Sequence, residues 1–140
     1  MERNPTKLWV VAGALQREDG AWLMHKRPDH KHHGGLWEFP GGKVESGETG
    51  RNALVRELNE ELGISIAVAD LALAARAEED PDHAKRPIVI QLYTLRIWTG
   101  IPAALEGGAV QWFSQQEISA LDKPPLDIVL AHKLFEKEQG

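Results

Sequence analysis

The segment from Gly41 to Ile64, GGKVESGETGRNALVRELNEELGI, constrains this chain more than any other. Leu54, Val55, Leu58 and Leu62 recur at spacings that share one side of a helix. Thr49 stands where an N-cap belongs and Gly63 where a C-cap belongs, so a helix is expected over 50–62. At about 100° per residue, Glu57, Glu60 and Glu61 fall in a sector next to the leucines. A helix that buries its leucines turns these carboxylates toward a cleft. Bare carboxylates 4 Å apart repel by roughly 4 kcal/mol per pair at an effective dielectric of 20. A cation among them relieves that repulsion. The donors on offer are hard oxygens, which suit Mg²⁺ or Mn²⁺ and not zinc. Taken alone, E-x-x-E-E reads first as a solvated acidic face, since charge runs usually face solvent.

The rest of the chain reads as a mixture of strands and helices. Leu8 to Leu15 and Ala21 to Met24 are apolar runs around Asp19-Gly20, which suggests a hairpin. PDHKHHGG (28–35) is a polar loop, and Leu36 to Phe39 is a short strand ended by Pro40-Gly41-Gly42. Ile64 to Ala77 reads as an irregular strand, EEDPDHAKR (78–86) as a charged loop, and Ile88 to Trp98 as a strand. Val110 to Phe113 is a last short strand. Ser114 caps a brief helix, and Leu126 to Lys137 forms an amphipathic one after Pro124-Pro125. The pattern implies an α/β fold, one domain over 1–140.

Composition excludes several functions. With no cysteine among 140 residues, thiolate zinc sites, disulfides and thiol nucleophiles are absent. A net charge of −5 argues against a grip on a nucleic-acid polymer, but not against a small polyanion held through a metal. The apolar run near the N-terminus is too short to span a membrane and lacks a secretory cleavage site, so the cytoplasm is the expected location. No GxxxxGK[ST] loop or G-x-S-x-G elbow occurs. His30, His32 and His33 lack the fixed-spacing partners of a metal site. Trp9, Trp22, Trp37, Trp98 and Trp112 are expected to be packing aromatics.

Gly42, Glu48, Arg56-Glu57-Leu58, Glu60-Glu61, Gly63 and Ile64 match without a gap the pattern G-x5-E-x7-R-E-U-x-E-E-x-G-U, U being aliphatic. This is the signature of the Nudix hydrolases. Leu36-Trp37-Glu38-Phe39-Pro40-Gly41-Gly42-Lys43 resembles the segment before that box in the MutT branch, the nucleotide-pool sanitisers. Arg27, the Trp98-Thr99-Gly100 turn and Pro124-Pro125 follow in MutT-like order.

The resemblance implies a single Nudix-type α/β/α sandwich with a mixed sheet. It implies a Mg²⁺-dependent (or Mn²⁺-dependent) pyrophosphohydrolase that splits nucleoside triphosphates into monophosphate and pyrophosphate. Glu57, Glu60, Glu61 and the Gly41 carbonyl would hold metal, and Glu57 would also serve as the base. Glu48 would orient water or a neighbouring group, and Arg56 would orient the glutamates. Arg27, Phe39, Lys43 and Asp127 would meet substrate, Asp127 standing where the branch places a base-reading asparagine. A helix cap is the other role open to Asp127. Where MutT-type proteins often carry glutamate before a late tryptophan, this chain has Gln111 before Trp112, and Glu106 is the acidic substitute. The substrate expected first is 8-oxo-dGTP. The alternatives are CTP or 5-methyl-dCTP, and a non-catalytic nucleotide-binding module. The only partner implied is a small nucleotide, with no membrane or nucleic-acid polymer, and oligomeric state stays open.

Overall fold

The strand β1 (Leu8–Leu15) divides the core in two, because its side chains alternate between faces. Val11 and Leu15 pack with Leu54, Leu58 and Leu62 of α1 (Gly50–Leu62). Ala12 and Ala14 pack with Leu130, Leu134 and Phe135 of α3 (Pro125–Gln139). Gly13 brings α1 close, since a Cβ there would sit 3.2 Å from Leu58 Cδ1. The computed structural model describes residues 6–139. Within them the remaining elements are β2 (Trp22–Lys26), β3 (Trp37–Glu38), β4 (Gly41–Lys43), β5 (Ala72–Glu78), β6 (Ile88–Leu95), β7 (Ala109–Phe113) and α2 (Gln115–Ala120).

Two sheets result. One runs β4-β1-β6-β5 and the other β3-β2-β7. β1 pairs parallel with β6 and antiparallel with β4, so the larger sheet is mixed. With α1 on one face of it and α3 on the other, the architecture is the expected α/β/α sandwich.

Both caps of α1 form as read. The Thr49 hydroxyl accepts from Asn52 N–H, and Gly63 takes a left-handed φ of 73°. Ser114 caps α2 in a capping box with Glu117.

Three local expectations need correction. The chain does turn at Asp19-Gly20, but β1 and β2 share only the single bridge Gln16–Trp22. Both edges of β1 are already taken by β4 and β6, so β2 pairs with β3 and β7 instead. The 36–39 strand does end before Pro40, but Gly41–Lys43 then forms a further, unexpected strand, β4, paired with β1. Glycine is needed there for close approach: a Cβ at Gly41 would collide with the Val11 carbonyl, and one at Gly42 with the Glu57 carboxylate. The strand expected over 64–77 begins only at Ala72, after a 3₁₀ turn at Val68–Asp70, and shifts register between Leu73 and Ala75.

Because Leu58 is wholly buried between α1 and β1, Leu58→Ala is expected to cost about 2–5 kcal/mol. The check is the shift of the urea midpoint at unchanged slope.

Candidate active site

Arg56 organises the acidic side of α1. Its Nε and Nη2 lie 2.8 and 2.9 Å from the two oxygens of Glu48, a fork-to-carboxylate pair. Its Nη1 donates to Glu57 Oε1 at 2.9 Å and to Glu60 Oε2 at 3.2 Å. Nη2 also donates to the Lys43 carbonyl at 3.0 Å, tying the helix to β4. Glu48 Oε1 accepts in addition from Glu45 N–H. Both Glu48 oxygens are thus engaged in holding Arg56 and the turn before α1. The glutamates raise the pKa of Arg56 far above its usual value, Glu48 contributing most, so its charge is permanent.

The three box glutamates sit at different depths. Glu60 is exposed, Glu57 half-buried and Glu61 buried at 8% exposure. Burial pushes the Glu57 carboxyl above its ordinary pKa, and Arg56 opposes the shift. Burial likewise lifts Glu61 well above the usual carboxylate range, with His25 opposing. Glu61 Oε1 is buried with no hydrogen-bond partner. An orphaned carboxylate oxygen beside a second raised carboxyl is what groups that share a cation show. The donor set therefore fits a divalent ion, and Gly42 leaves room for the Glu57 carboxylate to meet one.

A cleft of about 280 Å³ runs along this region, lined by Gly41, Gly42, Lys43, Glu61, Glu106, Arg27 and Asp127 among others. It adjoins a larger hollow of about 680 Å³ floored by Val10, Ile88, Ile90, Pro124, Leu126 and Val129. Arg27, Glu38 and Asp127 line both. A cleft lined by charged groups of both signs thus meets a wider hollow that has an apolar floor and is also lined by Glu78, Glu79 and Asp80, with a few fixed polar groups shared between them, the form of a small-molecule site.

Arg27 donates through Nη1 to Glu38 Oε1 at 2.9 Å and through Nε to the His32 carbonyl at 2.6 Å. Asp127 is 6% exposed, and burial raises its pKa to about 7. Its Oδ2 accepts from Phe39 N–H at 3.0 Å, across the fold and not from the backbone of α3. The carboxylate therefore anchors the β3–β4 junction. Phe39 itself is 3% exposed and packs in the α3-side core, so its backbone serves Asp127 while its ring is largely withdrawn. Lys43 is exposed at the cleft rim.

Glu106, not Gln111, reaches the cluster. Glu106 lines the cleft and its charge acts on Glu57 and Glu61. Gln111 is exposed in β7, opposite Met24. Of the loop histidines, His32 and His33 hold their rings tilted at 45° with centroids 3.8 Å apart and border the larger hollow. Among the tryptophans, Trp22 is core, while Trp98 stacks on Trp112 at 5.8 Å.

Sequence reasoning missed His25 and Glu38. His25 is 6% exposed in β2, 3.1 Å from Glu38 and 3.7 Å from Glu61. Its signal was a histidine inside the apolar run WLMHK, where an unpaired polar side chain is costly to bury.

Comparison with known proteins agrees with this geometry. The NUDIX domain model matches residues 6–134. The chain belongs to the Nudix family. An Escherichia coli CTP pyrophosphohydrolase is 37% identical over 89% of this chain and 89% of that protein. An Escherichia coli 8-oxo-dGTP diphosphatase is 35% identical over 91% and 96%. A MutT structure, from work on Aliivibrio salmonicida and Vibrio cholerae, aligns with a TM-score of 0.80 at 30% identity, covering 94% of this chain and 98% of that one. This Nudix hydrolase thus has MutT-like relatives with two different named substrates. No helix among its described residues is long and apolar enough to cross a membrane.

Proposed function

We propose that this Nudix hydrolase cleaves nucleoside triphosphates to monophosphate and pyrophosphate, with 8-oxo-dGTP as the preferred substrate, in nucleotide-pool sanitation. The observation that carries the reading is the junction of the charged cleft with the apolar-floored hollow at Arg27 and Asp127. A triphosphate extends from one and a base fits the other. Glu57, Glu60, Glu61 and the Gly41 carbonyl would hold Mg²⁺ or Mn²⁺. Bound there, the ion neutralises phosphate charge and makes water a better nucleophile.

The protein's own groups do the rest. Arg56 fixes Glu57 and Glu60 in place, and Glu48 fixes Arg56. Glu57 takes the proton from the attacking water. Glu106 adds negative charge beside Glu57 and Glu61 and fills the auxiliary acidic role that Gln111 lacks. Lys43 and Arg27 offer positive charge to phosphate, Arg27 with one edge already committed to Glu38.

Asp127 bears on the base. An ionised aspartate repels the O6 of an oxidised guanine. With a pKa of about 7, a large share of Asp127 is protonated at neutral pH and offers O6 a donor. The ionised share accepts from N7–H of 8-oxoguanine, or from the amino group of cytosine. The second reading, a CTP or 5-methyl-dCTP pyrophosphohydrolase, draws on that last contact and on the similarity to the CTP-cleaving relative. Release of monophosphate and pyrophosphate across canonical, oxidised and methylated nucleotides decides between them. A kcat/KM for 5-methyl-dCTP above that for 8-oxo-dGTP overturns the purine assignment.

Asp127→Asn is expected to change the kcat/KM ratio of those two substrates about tenfold or more, the scale of one charge-assisted hydrogen bond. The same variant reads out the buried carboxyl. Its folded pKa lies above the ordinary 3.8, so the native state holds a proton that the unfolded chain has lost. Stability from this group falls as pH rises from 3.8 to about 7, then levels. Asp127→Asn, which keeps an acceptor for Phe39 N–H, is expected to be more stable than wild type above that window. The gain, on the order of a few kcal/mol, vanishes toward its acid end. Paired thermal melts across pH check this.

A further inference from the structure

His25, Glu38 and Glu61 come from β2, β3 and α1 and converge beneath the cleft, their ligand atoms all within 4.8 Å of one another. Nδ1 of His25 lies 3.1 Å from Glu38 Oε2 and 3.7 Å from Glu61 Oε1. Nε2 lies 3.0 Å from the Gly107 carbonyl. A carbonyl accepts and never donates, so Nε2 carries a hydrogen. In the neutral ring the lone pair then sits on Nδ1 and faces two carboxylate oxygens, which also only accept. Three acceptors turned toward one point call for positive charge between them, either a proton on Nδ1, which both carboxylates favour, or a metal ion.

Neighbouring side chains do not supply it. Arg27 pairs with the other oxygen of Glu38, Oε1. Arg56 is spent on Glu48, Glu57 and Glu60. Glu61 Oε1 stays buried and without a partner, and both Glu61 and His25 are more than nine-tenths buried, at 8% and 6% exposure.

We propose that His25 Nδ1, Glu38 Oε2 and Glu61 Oε1 form a second, adjoining site for a divalent transition metal of the Zn²⁺ or Co²⁺ class. One nitrogen and two carboxylate oxygens suit such an ion, whereas Mg²⁺ prefers oxygen alone. Ligands about 2.0–2.2 Å from a tetrahedral zinc stand roughly 3.4 Å from each other. The observed 3.1 and 3.7 Å straddle that spacing. The bond from Nε2–H to a backbone carbonyl is the usual outer partner of a metal-binding histidine, fixing both tautomer and ring orientation. Three protein ligands leave a fourth position open, as in non-structural zinc sites. The site goes beyond the hydrolase reading. It shares Glu61 with the ions expected along α1 but depends on neither substrate nor reaction.

The test uses the whole protein, freed of metal, first without and then with Mg²⁺, which competes with the proposed ion only through the shared Glu61. Zn²⁺ is titrated while the ring nitrogens of His25 are followed by ¹⁵N NMR, and Co²⁺ while its visible absorption is recorded. Zn²⁺ is expected to move Nδ1 to the metal-bound range while Nε2 keeps its hydrogen. Wild type is expected to bind one more equivalent of Co²⁺ than His25→Ala, or to bind it at least about tenfold more tightly, the low end for losing even an outer partner. Glu57→Gln is expected to keep the His25 signal. Two protonated ring nitrogens at every Zn²⁺ concentration overturn the proposal, since a proton then fills the gap. So does equal Co²⁺ stoichiometry and affinity in wild type and His25→Ala. The NMR arm needs no variant, so it decides even if His25→Ala fails to fold.

Discussion

Glu57→Gln is expected to lower kcat by about 10²–10⁴, the range for losing a general base, with weakened metal binding adding to it. The substitution is close to isosteric. Its amide oxygen still accepts from Arg56, which now reaches Glu57 Oε1 at 2.9 Å. It removes the negative charge and the basicity that the half-buried carboxyl contributes beside Gly42. Folding should persist, because the half-buried Glu57 side chain lies beside Gly42 while Leu54, Leu58 and Leu62 hold α1 to β1. Steady-state kinetics with the preferred nucleotide is the measurement. A kcat within about threefold of wild type, well short of that range, would move the base role elsewhere. Glu106 is then the next carboxylate to change.

Excess chelator is expected to reduce turnover below detection, and Mg²⁺ or Mn²⁺ to restore it. Glu57, Glu60, Glu61 and Glu106 bring like charges together, with Arg56 offsetting only part of them. A triphosphate adds more negative charge, so without an ion the substrate is repelled from the groups that would process it. The same ion should stabilise the fold. At 100 times its dissociation constant it contributes about 2.7 kcal/mol, seen as a higher Tm. Undiminished turnover in chelator removes the metal from the reaction, and a Tm that ignores Mg²⁺ removes it from the site.

The sequence carried the helix and its fittings well because their signals are local. Thr49, the leucine spacing and Gly63 each act within a few residues, and α1 runs from Gly50 to Leu62 as they imply. The partnership of Arg56 with Glu48 was legible only through the family pattern, since eight residues separate them and the fork closes across a turn. What could not be read was non-local. The pairing of β2 depends on β1 having no free edge, and β1 is closed by strands that lie far along the chain. Gly41 and Gly42 looked like strand breakers, yet they form β4, because Val11 and Glu57 crowd them from outside the segment. His25 had no sequence neighbour of like chemistry. Its partners Glu38 and Glu61 become neighbours only when β2, β3 and α1 assemble.

The bond from Phe39 N–H to Asp127 makes the two ends of the cleft one lever. Phe39 is separated from Gly41 only by Pro40, whose fixed φ transmits displacement and does not absorb it. Gly41 in turn is registered on Ala12 through β4. On the proposed reading, a base that seats well on Asp127 would therefore steady the strand beside the metal-holding groups, and one that seats badly would tug it out of line. Discrimination in such a molecule is felt in the speed of the chemistry as much as in the hold on the nucleotide. Pocket variants chosen for tighter binding should be sorted by turnover first.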